Sequence, residues 1–171
     1  GTNANSATYS ASVSGNYRVD VTSNNSTSSS CPIAVTVNPL PVSNLTIEPS
    51  SSICAGVPAI LTANSFGSSP FTYQWHVDGN PIFGANASTY SATIGGDYAI
   101  KVTDSNGCES ISSSSTLTVN ALPAKPTAIN GVNVVIEGAT QTYSITPVSG
   151  ASSYTWTLPN SWTGTSTTNS I

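Results

Sequence analysis

Side chains that could carry out chemistry are few and widely spaced in this sequence. His76 is its single histidine, and no serine or cysteine nucleophile stands at a recognisable spacing from it. Because a general base needs a partner within hydrogen-bond reach, we interpret His76 as a solvated strand residue. Asp97 and Asp104 fall at a strand start and in a turn, where carboxylates are common, so they do not indicate a glycosidase pair. The sequence therefore predicts no catalytic residue and a protein that is not an enzyme.

Three cysteines, Cys31, Cys54 and Cys108, are the remaining reactive groups. They lack the CxxC spacing of a zinc site and only one histidine accompanies them, so the sequence predicts no metal site. The turn at 104–107 (DSNG) carries too few acidic oxygens for a calcium loop. We expect no cofactor.

The composition excludes several classes of partner. Charged residues make up 6% of the chain, against roughly 25% in ordinary globular proteins. The cations are Arg18, Lys101 and Lys125, too few to neutralise phosphates, so we expect no nucleic-acid partner. Nowhere do about 18 apolar residues run together, so we expect no membrane insertion. The lack of Met and of a signal peptide at Gly1 indicates an excerpt from a longer precursor.

The strongest pattern is a repeat of about 82 residues. Ser14–Asn25 (SGNYRVDVTSNN) returns 81 positions later at the start of Gly95–Cys108 (GGDYAIKVTDSNGC), and VNPLP at 37–41 returns as VNALP at 119–123. We predict the C-terminal half of one repeat at 1–41, a complete repeat at 42–123 and the N-terminal half of a third at 124–171.

Each repeat reads as short strands joined by turns. Apolar and polar residues alternate through 59–63, 71–77 and 98–102, the period of a strand with one buried face. About seven such strands in about 82 residues are typical of an immunoglobulin-like β-sandwich, so the predicted fold is all-β, with tandem immunoglobulin-like domains. The predicted core residues are Leu61, Trp75, Tyr98, Ile100 and, in the third segment, Trp156, with Tyr98 at the tyrosine corner.

Several short motifs are spread along the complete repeat, and related ones extend over nearly the whole chain. They are Cys54-x-Gly56, Tyr73-x-Trp75, Gly96–Val102 and Asn106-Gly107-Cys108. In these motifs the chain resembles the immunoglobulin-like and PKD-like repeats of very large surface proteins from gliding and polysaccharide-degrading Bacteroidetes, and YTWTLPNSW at 154–162 is similar to the PKD-like variety. The resemblance implies export to the cell surface, commonly by the type IX secretion route, and service as an adhesin or as a spacer beside catalytic domains.

Two disulfide pairings are open in such a sandwich. A tentative Cys54–Cys108 bridge would close a loop of about 54 residues and contribute on the order of 4 kcal/mol in the chain-entropy model. The strands that these cysteines flank run in the same direction, so the two thiols are expected at opposite ends of the domain, beyond the roughly 7 Å Cα limit for a bridge. In the alternative pairing, a cysteine of the Cys108 type meets one of the Cys54 type in the preceding repeat.

Two non-catalytic functions fit this sequence. We predict a structural or adhesive repeat segment of a long cell-surface or secreted protein, extended and semi-rigid because prolines in the connectors 38–41 and 120–123 limit bending. Its expected partners are neighbouring repeats of the same chain, and surface polysaccharide or another cell-surface protein. The alternative is a carbohydrate-binding accessory module of a secreted polysaccharide-degrading enzyme. That module needs an exposed aromatic platform, to which Trp162 could contribute, although loop aromatics often close the sandwich edge instead.

The two end segments, 1–41 and 124–171, each have too few strands to bury a core of their own. Segment 1–41 corresponds to the second half of a repeat and segment 124–171 to the first half, so the two are complementary. We expect each to be completed by chain outside this sequence or by another copy. The simpler account is a window cut out of register from a longer array. A compact, closed domain formed by either end alone would refute the predicted boundaries.

Overall fold

The structure, a computed structural model, describes residues 6–160 and 162–171. Residues 1–5 of the predicted first segment and Ser161 of the third lie outside the described residues. Within the described part, the regular elements are strands, as the period-two alternation predicts, and no helix there is long and apolar enough to cross a membrane. The strands are β1 (Gly15–Tyr17), β2 (Asp20–Ser23), β3 (Ser26–Ser29), β4 (Ile33–Val35), β5 (Val42–Glu48), β6 (Ser52–Cys54), β7 (Ala59–Phe66), β8 (Thr72–Val77), β9 (Asn80–Pro81), β10 (Thr89–Ala92), β11 (Gly96–Thr103), β12 (Glu109–Ile111) and β13 (Ser115–Asn120).

The chain divides into two compact units. One comprises residues 6–53 and 58–118, and the other comprises residues 54–57 and 119–171. The segment boundaries after residues 41 and 123 stay predictions.

Strands β5 to β13 form two sheets. One sheet has the order β10-β7-β5, and the other has the order β6-β13-β11-β8-β9, with β12 also paired to β11. Alternate residues of β7 and β11 are buried, so each sheet has one apolar face that must be covered by the other. The arrangement is an immunoglobulin-like β-sandwich, which confirms the predicted fold class.

The core of this sandwich lies between β7, β8 and β11. Leu61, Trp75 and Ile100 are completely buried, and Tyr98 is 2% exposed. Ile100 faces Trp75 in the β11–β8 register, and the indole Nε1 of Trp75 donates to the carbonyl oxygen of Ala87 at 2.9 Å. Burying each large apolar side chain stabilises the domain by roughly 1.5 to 3 kcal/mol. These side chains thus join the two sheets across the middle of the domain.

Tyr98 fastens the start of β11 to the preceding loop. Its hydroxyl donates to the carbonyl oxygen of Ile94 at 2.8 Å, and its ring lies 6.0 Å from that of Tyr90. Burial raises the pKa of the Tyr98 hydroxyl, and the neighbouring Tyr90 and Asp78 raise it further, because each disfavours a phenolate at this place. The side chain is therefore held in its neutral, hydrogen-bonding form.

Residues 6–37 form two antiparallel ribbons, β1 with β4 and β2 with β3. Their bonds repeat those of β11 with β13 and β12, displaced by 81 or 82 residues. Tyr17 donates its hydroxyl to Val13 O at 2.7 Å, as Tyr98 does to Ile94 O. The amide of Val19 donates to Ser30 Oγ at 3.0 Å, and the amide of Ile100 donates to Ser112 Oγ at 3.1 Å.

Residues 119–171 hold their backbone together by isolated bridges between Asn130, Ser144 and Ser170. Two hydrogen bonds there also repeat those of the sandwich. Trp156 donates its indole Nε1 to Thr168 O at 3.0 Å, as Trp75 does to Ala87 O. The amide of Ile145 donates to Asn169 O at 2.9 Å, the distance between the amide of Ala63 and Ser88 O. The middle segment therefore shares one group of hydrogen bonds with residues 6–37 and another group with residues 119–171.

Candidate functional site

His76 lies beside a shallow groove on the outer face of β8 and β11. The groove is lined by Thr72, Tyr73, Gln74, His76, Pro81, Lys101, Thr103 and Glu109. The ring Nδ1 of His76 is 3.5 Å from Gly79 O, and its Nε2 is buried without a hydrogen-bond partner. The hydroxyl of Thr103 donates to Glu109 at 3.3 Å, so this oxygen is engaged with a carboxylate and not with the imidazole.

The charged pair in this groove is Lys101 and Glu109, whose Nζ and Oε2 atoms are 2.7 Å apart. The hydrogen bond from Lys101 lowers the pKa of the Glu109 carboxyl, opposed by partial desolvation and assisted by the Lys101 charge and by Thr103. Both side chains reach solvent, so the pair contributes little to stability. The ion pair links β11 to β12, two strands in which Thr103 is paired with Glu109.

The aspartates considered for chemistry serve turns and strand ends. Asp104 is buried, and its Oδ1 accepts hydrogen bonds from the amides of Asn106 and Cys108, both at 2.9 Å. Asp97 donates its amide to Asp78 Oδ1 at 2.9 Å. Within residues 6–160 and 162–171, no three His, Cys, Asp or Glu side chains gather as a metal site would require. These carboxylates therefore hold the β11–β12 turn and the start of β11 in place.

Cys31, Cys54 and Cys108 are free thiols in the structure, which gives no support to the tentative Cys54–Cys108 disulfide. The sheet explains why this pair does not meet. Cys54 ends β6, and the amide of Thr118 donates to Ser51 O, so the start of β6 lies level with the end of β13. That end of β13 pairs with the beginning of β11, whereas Cys108 follows the end of β11. A strand of eight residues, roughly 26 Å long, separates the two ends.

The tryptophans do not form an exposed platform. Trp75 is completely buried and Trp156 is half-buried. Trp162 is 47% exposed, and its ring is 6.4 Å from that of Tyr143 with the two planes inclined at 59°. Two rings at that inclination cannot both lie flat on one sugar face. The fully exposed Phe83, in the loop after β9, was not anticipated from the sequence because the PIFGA stretch at 81–85 gives no periodic signal.

A different surface stands out among residues 6–37. We define the open face as Tyr17, Val19, Val21 and Val35. Val19 is 56% exposed and Val21 is 61% exposed, and Tyr17 and Val35 are half-buried. Their repeat counterparts are Tyr98, Ile100, Val102 and Leu117, none more than 2% exposed. The same strand pattern is therefore covered in the sandwich and uncovered here.

Parts of the chain resemble known proteins. Residues 122–171 match the PKD-like domain family, in agreement with the PKD-like character predicted for the third segment. A decoration protein of Escherichia phage T5 is 36% identical over 95 residues, which are 52% of this chain and 57% of the phage protein. Crystal structures of the N-terminal four Ig domains of Dscam1, isoforms 4.44 and 1.9, each give a TM-score of 0.41 at 22% identity over 63% of this chain. The chain spans little more than half of the phage protein and 27% of each Dscam1 chain.

Proposed function

We propose that this chain is a non-catalytic structural or adhesive repeat segment of a long cell-surface or secreted protein, and that it acts as an extended, semi-rigid stalk. The observation that carries the proposal is that hydrogen bonds of the middle segment recur at a displacement of 81 or 82 residues, one group of them in the first segment and another group in the third. Repeated modules of this kind stack along a chain and provide reach and attachment surface. Export and partners on the cell surface belong to the same proposal.

The use of polar side chains supports a structural role. Carboxylate oxygens accept hydrogen bonds at turns and strand ends in Asp78, Asp97 and Asp104. The side chain of Gln74 donates to Ile82 O at 2.8 Å. Polar side chains that have these hydrogen-bond partners maintain the fold. The similarity to a phage protein named a decoration protein also favours a role on the surface of a larger assembly.

Solution scattering tests the stalk. At a concentration where the chain is monomeric, we expect an extended particle with a narrow distribution of lengths. Replacing Pro39 and Pro123 by glycine, both exposed connector residues, should broaden that distribution because glycine frees the backbone dihedrals that proline restricts. An unchanged profile in the double variant, or freely tumbling units in the parent chain, would contradict the semi-rigid stalk.

The carbohydrate-binding alternative is tested by calorimetry against soluble polysaccharides. The stalk proposal expects no binding heat that depends on Trp162. Binding that disappears in Trp162→Ala and persists in Phe83→Ala, a matched loss of an exposed aromatic in the sandwich, would instead support a carbohydrate-binding module.

A further inference from the structure

We propose that the open face docks residues 124–171 of a second copy of this chain, so that two copies together build one further immunoglobulin-like domain. The inference rests on the repeat register of the proposed function. It assigns a partner to the apolar surface formed by Tyr17, Val19, Val21 and Val35.

The complete sandwich shows what covers such a face. There, the inward side chains of β11 are buried together with Leu61 of β7, in the other sheet, and with Trp75 of β8, the strand beside β11. The repeat counterparts of β7 and β8 are residues 141–148 and 153–158. The segment that the fold requires over the open face is therefore present in the chain itself.

Residues 124–171 already make some of the hydrogen bonds of that half. Tyr143 and Ile171 exchange backbone hydrogen bonds of 2.8 and 2.9 Å, and their counterparts Leu61 and Tyr90 are paired in the β7–β10 register. Trp156 keeps the indole bond of Trp75 but is only half-buried, where Trp75 is completely buried. The side chain lacks the cover that β11 gives its counterpart.

The two segments also complement each other in extent and chemistry. Residues 6–9 and 168–171 both correspond to residues 87–90, so the pair leaves no strand of the domain unrepresented. Tyr143 and Trp156, both half-buried, on one side and the open face on the other carry no ionic side chain, so burying them together incurs no charge desolvation. Because the first segment of one copy meets the third segment of another, the interface is heterologous and head to tail, and it builds open chains of copies wherever the rotation between copies does not close a ring.

Sedimentation velocity of the 171-residue chain over a wide concentration range tests this interaction. We expect a ladder of species that grows with concentration. Val21→Asp should weaken the association at least about tenfold, because it places a carboxylate in the apolar contact. Thr22→Asp is the matched control, since the next residue of β2 points to the opposite face, and its ladder should match that of the parent.

Cysteine cross-linking identifies the contact. In a background with the three native cysteines changed to serine, Val19→Cys combined with Tyr143→Cys should give oxidised dimers and higher species, because these positions correspond to Ile100 and Leu61, where antibody domains place their inter-sheet disulfide. Leu61→Cys combined with Ile100→Cys should cross-link within one chain, without forming dimers. A parent chain that stays monomeric at every concentration, or a Val19–Tyr143 bridge formed only within one chain, would overturn the proposal. A monomer with the expected scattering profile would leave the stalk function standing.

Discussion

At the scale of single residues, Tyr98 links the packing of the sandwich to pH. Its hydroxyl is neutral in the folded domain, and burial raises its pKa above the ordinary value of 10.0. Below pH 10 both folded and unfolded forms keep the proton, so this group adds no pH dependence. Above pH 10 the unfolded chain releases the proton before the folded chain does, so the free energy of unfolding falls as the pH rises toward the folded pKa.

We therefore expect urea unfolding to show lower stability as the pH is raised above 10, and the Tyr98→Phe variant to lack this component. At neutral pH the variant should lose about 1 kcal/mol, because the hydrogen bond to Ile94 O is gone. Tyr17→Phe is the control, since it removes the corresponding bond in the first segment. Equal alkaline losses in the parent and in Tyr98→Phe would contradict the role given to Tyr98.

The roles of single polar residues were only partly predictable from sequence. The reading of Asp104 as a turn residue followed from the DSNG stretch, but its burial and its two amide partners depend on how the β11–β12 turn folds back. His76 was predicted to be solvated. Alternation places it on the outer face of β8, yet its Nε2 is buried. The burial of a single ring atom depends on tertiary packing, which the period of a strand does not determine.

At the scale of elements, the approach of β11 to β8 requires a glycine at position 96. A Cβ built there would lie 2.7 Å from Val77 Cγ2. Gly96→Ala should therefore destabilise the sandwich by about 1 to 3 kcal/mol through overpacking. Gly15→Ala, the repeat counterpart, should change stability by less than about 0.5 kcal/mol, because the nearest atom is Tyr17 Cε2 at 3.9 Å. Chemical denaturation of both variants measures the difference, and similar losses would contradict it.

Strands and their buried faces were the most predictable elements. Alternation through 59–63, 71–77 and 98–102 corresponds to β7, β8 and β11, since period two is a local property of the chain. The order of the strands within each sheet is harder to predict from the sequence, because pairings such as β6 with β13 join residues far apart in the chain. Cysteine pairing was the least predictable, because a disulfide depends on Cα separation and direction in the folded sheet, which spacing along the chain does not determine.

At the scale of the whole molecule, one strand pattern occurs in two settings. Val102 in β11 is completely buried, and Val21 in β2 is 61% exposed. A two-stranded ribbon such as β2–β3 is marginally stable by itself, so its amides should exchange readily in the monomer. Docking of a second copy would cover the ribbon, and mass action then makes its stability depend on protein concentration.

Hydrogen exchange measured at several protein concentrations separates the two settings. The amides of β2 and β3 should become more protected as the concentration rises, in proportion to the fraction of copies associated, whereas those of β11 should stay equally protected throughout. Val21→Asp should abolish the concentration dependence in β2 and β3 without affecting β11, and Thr22→Asp should preserve it. Protection of β2 and β3 that does not vary with concentration would mean that these strands are not completed by a second copy. The sandwich then would be the only part of the described chain whose core is fully covered, and the stalk would have to obtain its stiffness from the connectors alone.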